Sequence, residues 1–157
     1  MSFINRLKRR DLLTDPVFSN GIVDLYPINA YEDSSEIGAM RSYGYIIAPG
    51  GLAKEAGRIS LRVGESRSLY YFGHIGYHID KGYRGQHYAL HACRLIAGLC
   101  RELELHSVVI TTNVDNPASR KTCESLGCIL ESVVFVPEDL RARYGLPPLK
   151  CRYILLP

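Results

Sequence analysis

The sequence predicts an α+β (mixed α/β) domain built on a mixed, mostly antiparallel sheet. Three observations carry this. Segments rich in β-branched and aromatic residues follow one another at short intervals from Ile22 to Ile79, separated by turn residues such as the Pro-Gly-Gly at 49–51. The apolar period then lengthens to that of a helix over Gln86 to Glu104, and a β-branched run follows at Ser107 to Thr112. A strand, a crossover helix and a second strand demand a parallel pair, so one parallel ladder must sit inside an otherwise antiparallel sheet.

Taken in order, residues 1–20 set Leu7, Leu12, Leu13 and Phe18 among polar residues in a weak helical pattern that Pro16 ends. Ile22 to Tyr31 reads as a strand that Pro27 confines to an edge or a bulge. Ser34, Ser35 and Gly38 mark a turn. Arg41 to Ala48 and Arg58 to Val63 are two further strands, and Gly64 to Ser68 turns the chain into a third, Leu69 to Ile79. Ala53 to Ala56 has length for no more than one helical turn. In the helix from Gln86 to Glu104, Ala89, Cys93, Ile96, Cys100 and Leu103 fall on one face. Ser107 to Thr112 has the composition of a central strand covered on both faces. Asn116 as N-cap, Pro117 at the first helical position and Gly127 as the stop define a second helix. Ile129 to Val136 is a strand, Pro137 to Pro148 a polar excursion with room for one helical turn, and Lys150 to Leu156 the final strand.

Bulk properties narrow the function. At 157 residues the chain fits one domain, 1–157, with a core that needs neither disulfide nor metal. No apolar run approaches the roughly 20 residues that cross a bilayer. The first 15 residues are basic but lack the apolar core and cleavage site of a signal peptide, so a cytoplasmic location is expected. The five cysteines show no metal-ligand spacing, and an odd set in this context reads as reduced thiols. A net charge of +3 is too mild for a nucleic-acid partner yet suits a polyanionic small molecule. The Lys8-Arg9-Arg10 run is either a solvated segment or a basic interaction patch.

The stretch that carries chemistry is Lys81-Gly82-Tyr83-Arg84-Gly85-Gln86-His87-Tyr88-Ala89. It joins a strand to a helix, and the first N–H groups of a helix have no intrahelical acceptor and sit at the positive end of its dipole. A pyrophosphate can accept from several at once, with Gly85 allowing close approach and Arg84 adding charge. Spacing alone leaves a second reading open, in which the glycines only permit tight turning and Arg84 is solvated. Neither GxxxxGK[ST] nor GxGxxG is present, which excludes the usual nucleoside-triphosphate and dinucleotide loops.

Ile75-Gly76-Tyr77-His78-Ile79 followed by Tyr83 to Ala89 resembles the acetyl-CoA motif of the GNAT (Gcn5-related) N-acetyltransferases, [QR]xxGx[GA]. Asp115-Asn116-Pro117-Ala118-Ser119-Arg120, ending in Glu124-Ser125-Leu126-Gly127, is similar to the DNxASR form of the family's second motif, common in bacterial members. The resemblance implies a central, mostly antiparallel sheet with helices on both faces and a splayed parallel strand pair. It implies acetyl-CoA as cofactor and an amine as acceptor, with direct transfer through a tetrahedral intermediate. Such a reaction needs a base for the ammonium proton, an oxyanion donor and an acid for the leaving thiolate. By the same resemblance the backbone at Ile79 binds pantetheine and orients the thioester carbonyl. Arg84, Gly85, Gln86, His87, Tyr88 and Ala89 cradle the pyrophosphate, and Asn116 and Ser119 contact the pantetheine arm. A homodimer through the last strands is a further implication.

Two departures from the family pattern bear on catalysis. His87 stands where the motif prefers glycine or another small residue; a helical backbone is open to histidine, but its ring crowds the phosphate site and lowers the expected affinity. Cys123 stands where many members carry the tyrosine that protonates the thiolate. A thiol can donate a proton; the rival reading makes Cys123 a small helix-packing residue. For the base, His78 and His74 have the right chemistry, yet on a regular strand they face away from Ile75, Tyr77 and Ile79, and each also reads as a satisfied, partly buried histidine. Asn113 and Thr112 at a strand end are alternatives that orient a water, with Glu65, Glu131 and Tyr153 in reserve. The eleven tyrosines include Tyr43, Tyr45, Tyr70, Tyr71 and Tyr77 on neighbouring strands, where they line an amine pocket or simply place their hydroxyls in solvent. The acceptor is therefore expected to be a primary amine of a small molecule or of a protein or peptide. The alternative is a GNAT-fold acyl-CoA-binding or regulatory module that has lost transfer.

Overall fold

A computed structural model of the protein describes residues 16–28 and 37–157. Within them the strands are β1 (Phe18–Ser19), β2 (Val23–Pro27), β3 (Arg41–Pro49), β4 (Gly57–Val63), β5 (Ile75–Ile79), β6 (Val108–Asn113), β7 (Ile129–Phe135) and β8 (Leu149–Leu155). They form one sheet in the order β1-β2-β3-β4-β5-β6-β8-β7. Each neighbouring pair is antiparallel except β5 and β6, which are parallel. The expected mixed, mostly antiparallel sheet is thus observed. The N-terminal helical pattern, the Lys8-Arg9-Arg10 run and the turn at Ser34 and Ser35 lie outside the described residues.

Pro27 shows how composition sets a place in the sheet. The N–H of Ile28 donates to Gly44 on β3, so by alternation the imide nitrogen of Pro27 points the other way. On that side β1 reaches only Leu25 and Asp24, and no ladder bond is lost.

One predicted strand is corrected. Leu69 to Phe72 is not extended but belongs to helix α1 (Arg67–Phe72), and the strand begins only at Ile75. The Ser66 side chain caps the helix by accepting from the Leu69 N–H at 2.9 Å. Gly73, at φ 78°, ends it by returning its N–H to the Leu69 carbonyl. These local bonds outweigh the strand propensity of the two tyrosines. The excursion after Pro137 likewise holds more helix than expected, α4 (Glu138–Tyr144), closed by Gly145 in the left-handed region. Residues 53–56 form no helical turn.

Helices α2 (Tyr88–Glu102) and α3 (Pro117–Ser125) agree with expectation, including Asn116 as N-cap and Pro117 at the first position. Residues paired across β6 and β8 show which face each helix covers. Ile110 opposite Tyr153 and Thr112 opposite Cys151 point to one face, where Cys93, Ile96 and Cys100 of α2 and Cys123 of α3 complete the main core. Thr111 opposite Arg152 and Asn113 opposite Lys150 point to the other. There the Thr111 hydroxyl donates to the Tyr71 carbonyl and the Arg152 guanidinium to the Tyr70 carbonyl, which seats α1. Arg67 of α1 reaches Asp139 of α4 in a two-bonded ion pair of 2.6 and 2.8 Å. Helices therefore cover both faces.

The feature that positions the site is the parallel junction. β5 and β6 share a single paired position, Ile75 with Ile110. Beyond it β5 follows β4 as far as Ile79 while β6 follows β8 as far as Asn113, so the two strands part and leave a gap.

Candidate active site

The backbone on the β5 side of the gap is free to bind. The Asp80 N–H donates to Ala56 beyond β4, so alternation turns the N–H groups of Tyr77 and Ile79 away from β4 and into the gap. Arg84 Nε donates to the Ile79 carbonyl at 3.0 Å and ties the following loop to the strand end. Gly85 has φ 82° and open space where a Cβ would stand, so backbone lies bare to a ligand there.

His87 immediately precedes α2 with φ 60° and ψ 21°. The expected helical backbone is corrected: the residue is left-handed. A residue with a Cβ pays about 1–2 kcal/mol for that conformation, which explains physically why a glycine suits the position. His87→Gly is accordingly expected to raise unfolding stability by up to about 1 kcal/mol in urea titration, the relief exceeding the entropy glycine adds to the unfolded chain. The His91 N–H is the first in α2 to bond back, to His87, which leaves those of Tyr88, Ala89 and Leu90 without helical acceptors. Gln86 is turned to a structural use, its Oε1 accepting from the Tyr88 hydroxyl at 2.9 Å.

Tyr77, Ile79, Arg84, Gly85 and His87 to Leu90, but not Gln86, line a cavity of about 420 Å³ on the α2/α3 face, with Lys121 on its wall and no carboxylate among its lining residues. Asn116 and Ser119 close it from α3. Asn116 Oδ1 accepts from the Ser119 N–H at 3.1 Å, and Ser119 Oγ lies 2.7 Å from the Tyr77 hydroxyl. Burial raises the Tyr77 pKa well above the ordinary phenol value, so that hydroxyl is held protonated.

A second cavity, of about 380 Å³, opens on the α1/α4 face of the same strands. Arg58, Arg62 and Lys150 line it, and Gly76 leaves room for the Arg62 guanidinium: a Cβ there would come 2.4 Å from Arg62 Nη2. The two cavities share Tyr77, His78 and Ser119, which therefore mark the place where the gap joins them through the sheet.

The remaining sequence candidates fall as follows. His78 is exposed at that junction, its Nε2 3.4 Å from the Asp80 carboxylate. His74 is held on both sides, with Nδ1 accepting from the Val109 N–H at 2.9 Å and Nε2 3.2 Å from both the Gly64 carbonyl and Glu65. Cys123 lines neither cavity; it is a buried free thiol hydrogen-bonded to Cys128, and that hydrogen bond together with burial pushes its pKa strongly up. Asn113 also lines neither, and Thr112 is buried with its hydroxyl unbonded. Glu131 pairs with Arg152 at 2.8 Å, and the Tyr153 hydroxyl accepts from Arg120 at 3.3 Å. The sequence reading missed the Tyr77–Ser119 contact, made across 42 residues of chain, and missed Lys150. A lysine near the head of a final strand whose other residues, Arg152 apart, are apolar or aromatic was the available signal for the second.

Known proteins resemble this chain in sequence and fold. The acetyltransferase (GNAT) domain matches residues 21–129, well over half of the chain. The chain belongs to the GNAT acetyltransferase family. Among solved structures, a probable acetyltransferase is 28% identical at TM-score 0.56, over 74% of this GNAT chain and 63% of its own. The microcin C7 self-immunity acetyltransferase MccE, solved with acetyl-CoA and AMP, is 21% identical at TM-score 0.58, over 74% and 61%. The spermidine/spermine N-acetyltransferase SpeG from Vibrio cholerae is 13% identical at TM-score 0.62, over 87% and 95%. The last two likenesses are of fold. The match spans just over three fifths of the first two proteins. No curated protein sequence matches this GNAT chain. Among the described residues no helix is long and apolar enough to cross a membrane.

Proposed function

We propose that this GNAT domain is a cytoplasmic N-acetyltransferase that moves an acetyl group from acetyl-CoA directly to a primary amine of a small molecule, protein or peptide. The observation that carries the reading is the pair of cavities on opposite faces of the sheet, joined at the β5–β6 gap by Tyr77, His78 and Ser119. One face holds the thioester donor, the other the amine, and the two meet without either crossing the core.

The residues present fit the donor. Acetyl-CoA supplies an activated acyl group on a polyanionic handle. The free N–H groups of Tyr88, Ala89 and Leu90, with Arg84 and Lys121, receive the pyrophosphate beside Gly85. The N–H groups of Tyr77 and Ile79 orient the pantetheine and thioester end, and Asn116 and Ser119 bound it from α3. The Tyr77 hydroxyl, protonated and braced by Ser119, is the donor available to the leaving sulfur. Cys123, enclosed against Cys128, is left a packing role. His78 stands at the junction and takes the ammonium proton. A homodimer belongs to the reading through β7, a sheet edge that exposes Ile129, Leu130, Val133 and Phe135.

A melting experiment tests the donor site. Acetyl-CoA at 100 times its dissociation constant is expected to stabilise the protein by about 2.7 kcal/mol, and Arg84→Ala to weaken binding about tenfold or more through loss of a charge-assisted contact. Absence of any shift, with no binding by calorimetry, overturns the assignment. Turnover separates this reading from an acyl-CoA-binding module that has lost transfer, since the module binds and releases no thiol.

A further inference from the structure

An amine of the chain itself stands in the cavity on the α1/α4 face, where the acceptor is expected. Lys150 is 8% exposed, lines this cavity, and its ammonium makes no hydrogen bond or ion pair among the described residues. It lies on β8 opposite Asn113 of β6. The parallel pairing of Ile75 with Ile110 puts Asn113 level with His78, since each lies three residues further along its strand. Lys150 is therefore level with the parted ends of β5 and β6. Gly76 faces this cavity, so by alternation His78 does too. One strand spacing, about 4.8 Å, separates β8 from β6, and the flexible stem of a lysine outreaches it. Lys150 accordingly shares the cavity wall with Tyr77 and His78 of β5, two of the residues at which the donor cavity joins this one.

An amine attacks a thioester only when uncharged. Burial, and then Arg62, draw the Lys150 pKa from 10.5 to about 8. At pH 7.5 its uncharged share is therefore on the order of a hundredfold that of an ordinary lysine. The charged and titratable groups that face it are Arg58 and Arg62 of β4 and Tyr77 and His78 of β5, and none is a carboxylate. From β6, α1 and the segment after α4 the cavity receives only Ile110, Thr111, Phe72 and Leu146, which do not titrate. Resting on the acetyltransferase reading above, we infer that Lys150 is a self-acetylation site: with no acceptor in the cavity, its amine takes the acetyl group from acetyl-CoA bound to the same chain. The Lys150 nitrogen bonds to the thioester carbonyl carbon and the carbon–sulfur bond breaks. His78 takes the proton that the nitrogen loses, and the sulfur leaves as CoA thiol with the proton of Tyr77. A proton returning from His78 to Tyr77 through solvent closes the balance. The product is a neutral amide, so the modification also removes the buried charge.

The test incubates the full chain with acetyl-CoA and no added amine. Intact mass after denaturation reads the number of acetyl groups, and peptide fragmentation places them. Lys150 is expected to be acetylated at least about tenfold faster than the exposed Lys54 and Lys81, which measure uncatalysed chemistry in the same sample. The rate should be independent of protein concentration, as transfer within one chain requires, and should fall about tenfold in Arg84→Ala at limiting acetyl-CoA. Lys150→Arg keeps the charge and should lose the modification at this position while Lys54 and Lys81 react as before. Modification of Lys150 no faster than of those two lysines, equally fast in Arg84→Ala, or at a rate that grows with protein concentration overturns the proposal. So does an unmodified Lys150 in a protein that acetylates an added amine, a result that leaves the acetyltransferase reading standing. Absence of acetyl-CoA binding by calorimetry overturns both. Acetylation of Lys150 without product from any added amine upholds the self-acetylation site and removes transfer to a free acceptor.

Discussion

Lys150→Met should make the protein more stable. Burial, and then the nearby Arg62 cation, draw the Lys150 pKa down from 10.5 to about 8. Among the described residues, the other charged or titratable groups lining the cavity are Arg58, His78 and Tyr77, and none is a carboxylate. The sign follows from linkage: between about pH 8 and 10.5 the unfolded chain holds more protons at this site than the folded one, so folding becomes more favourable as pH rises through that window. Below it the folded protein bears the full cost of a buried ammonium. Methionine fills a similar volume without charge, and at pH 7 a gain of about 2 kcal/mol is expected in urea unfolding. The gain should shrink as pH rises from about 8 and level off above about 10.5, where the lysine is neutral in both states. Destabilisation at pH 7, or a gain independent of pH, would show that Lys150 is not held as an uncompensated charge.

Gly57→Ala should do the opposite, costing stability and loosening the donor site together. Gly57 lies in β4 directly opposite Ile79. A Cβ there would stand 2.2 Å from the His78 carbonyl oxygen and 3.0 Å from the Ile79 Cα, and both are backbone atoms that no rotamer change can move aside. The strands must separate at the tip of β5, where the gap begins. We expect a loss of about 3 kcal/mol in urea unfolding, with acetyl-CoA affinity falling even at temperatures where the variant is fully folded. A change below about 1 kcal/mol would mean that β4 and β5 are not held this closely.

The parts of the fold written in local pattern were legible in the sequence. The face of α2 was readable because Cys93, Ile96 and Cys100 repeat at helical spacing, and α3 because Asn116, Pro117 and Gly127 each mark a helix end. The parallel junction followed from connectivity, since a strand, helix and strand in one sheet leave few arrangements. What escaped was set by contacts between residues distant in sequence or by single backbone angles. Leu69 to Phe72 has a strand's composition, and only the Ser66 cap and the Gly73 turn make it helical. The left-handed His87 gives no sign in its residue type, because histidine is ordinarily found on the other side of φ. Its family position carried the signal, as a preference for a small residue. Cys123 was placed by counting along a motif, but burial against Cys128 is a property of packing. The groups that the sequence hid best, the Tyr77–Ser119 pair and Lys150, are defined by contacts and burial between distant parts of the chain.

The central claim is that the gap between β5 and β6 brings a thioester from one face to an amine on the other. Its most direct test is amine-dependent formation of N-acetyl product from acetyl-CoA by the wild-type protein, followed by mass alongside release of one CoA thiol per product. The account predicts product that rises with amine concentration, exceeds background hydrolysis, and falls when Arg84 or Tyr77 is replaced by alanine or phenylalanine respectively. Tight binding of acetyl-CoA with no product from small primary amines or from a peptide amino terminus would contradict it.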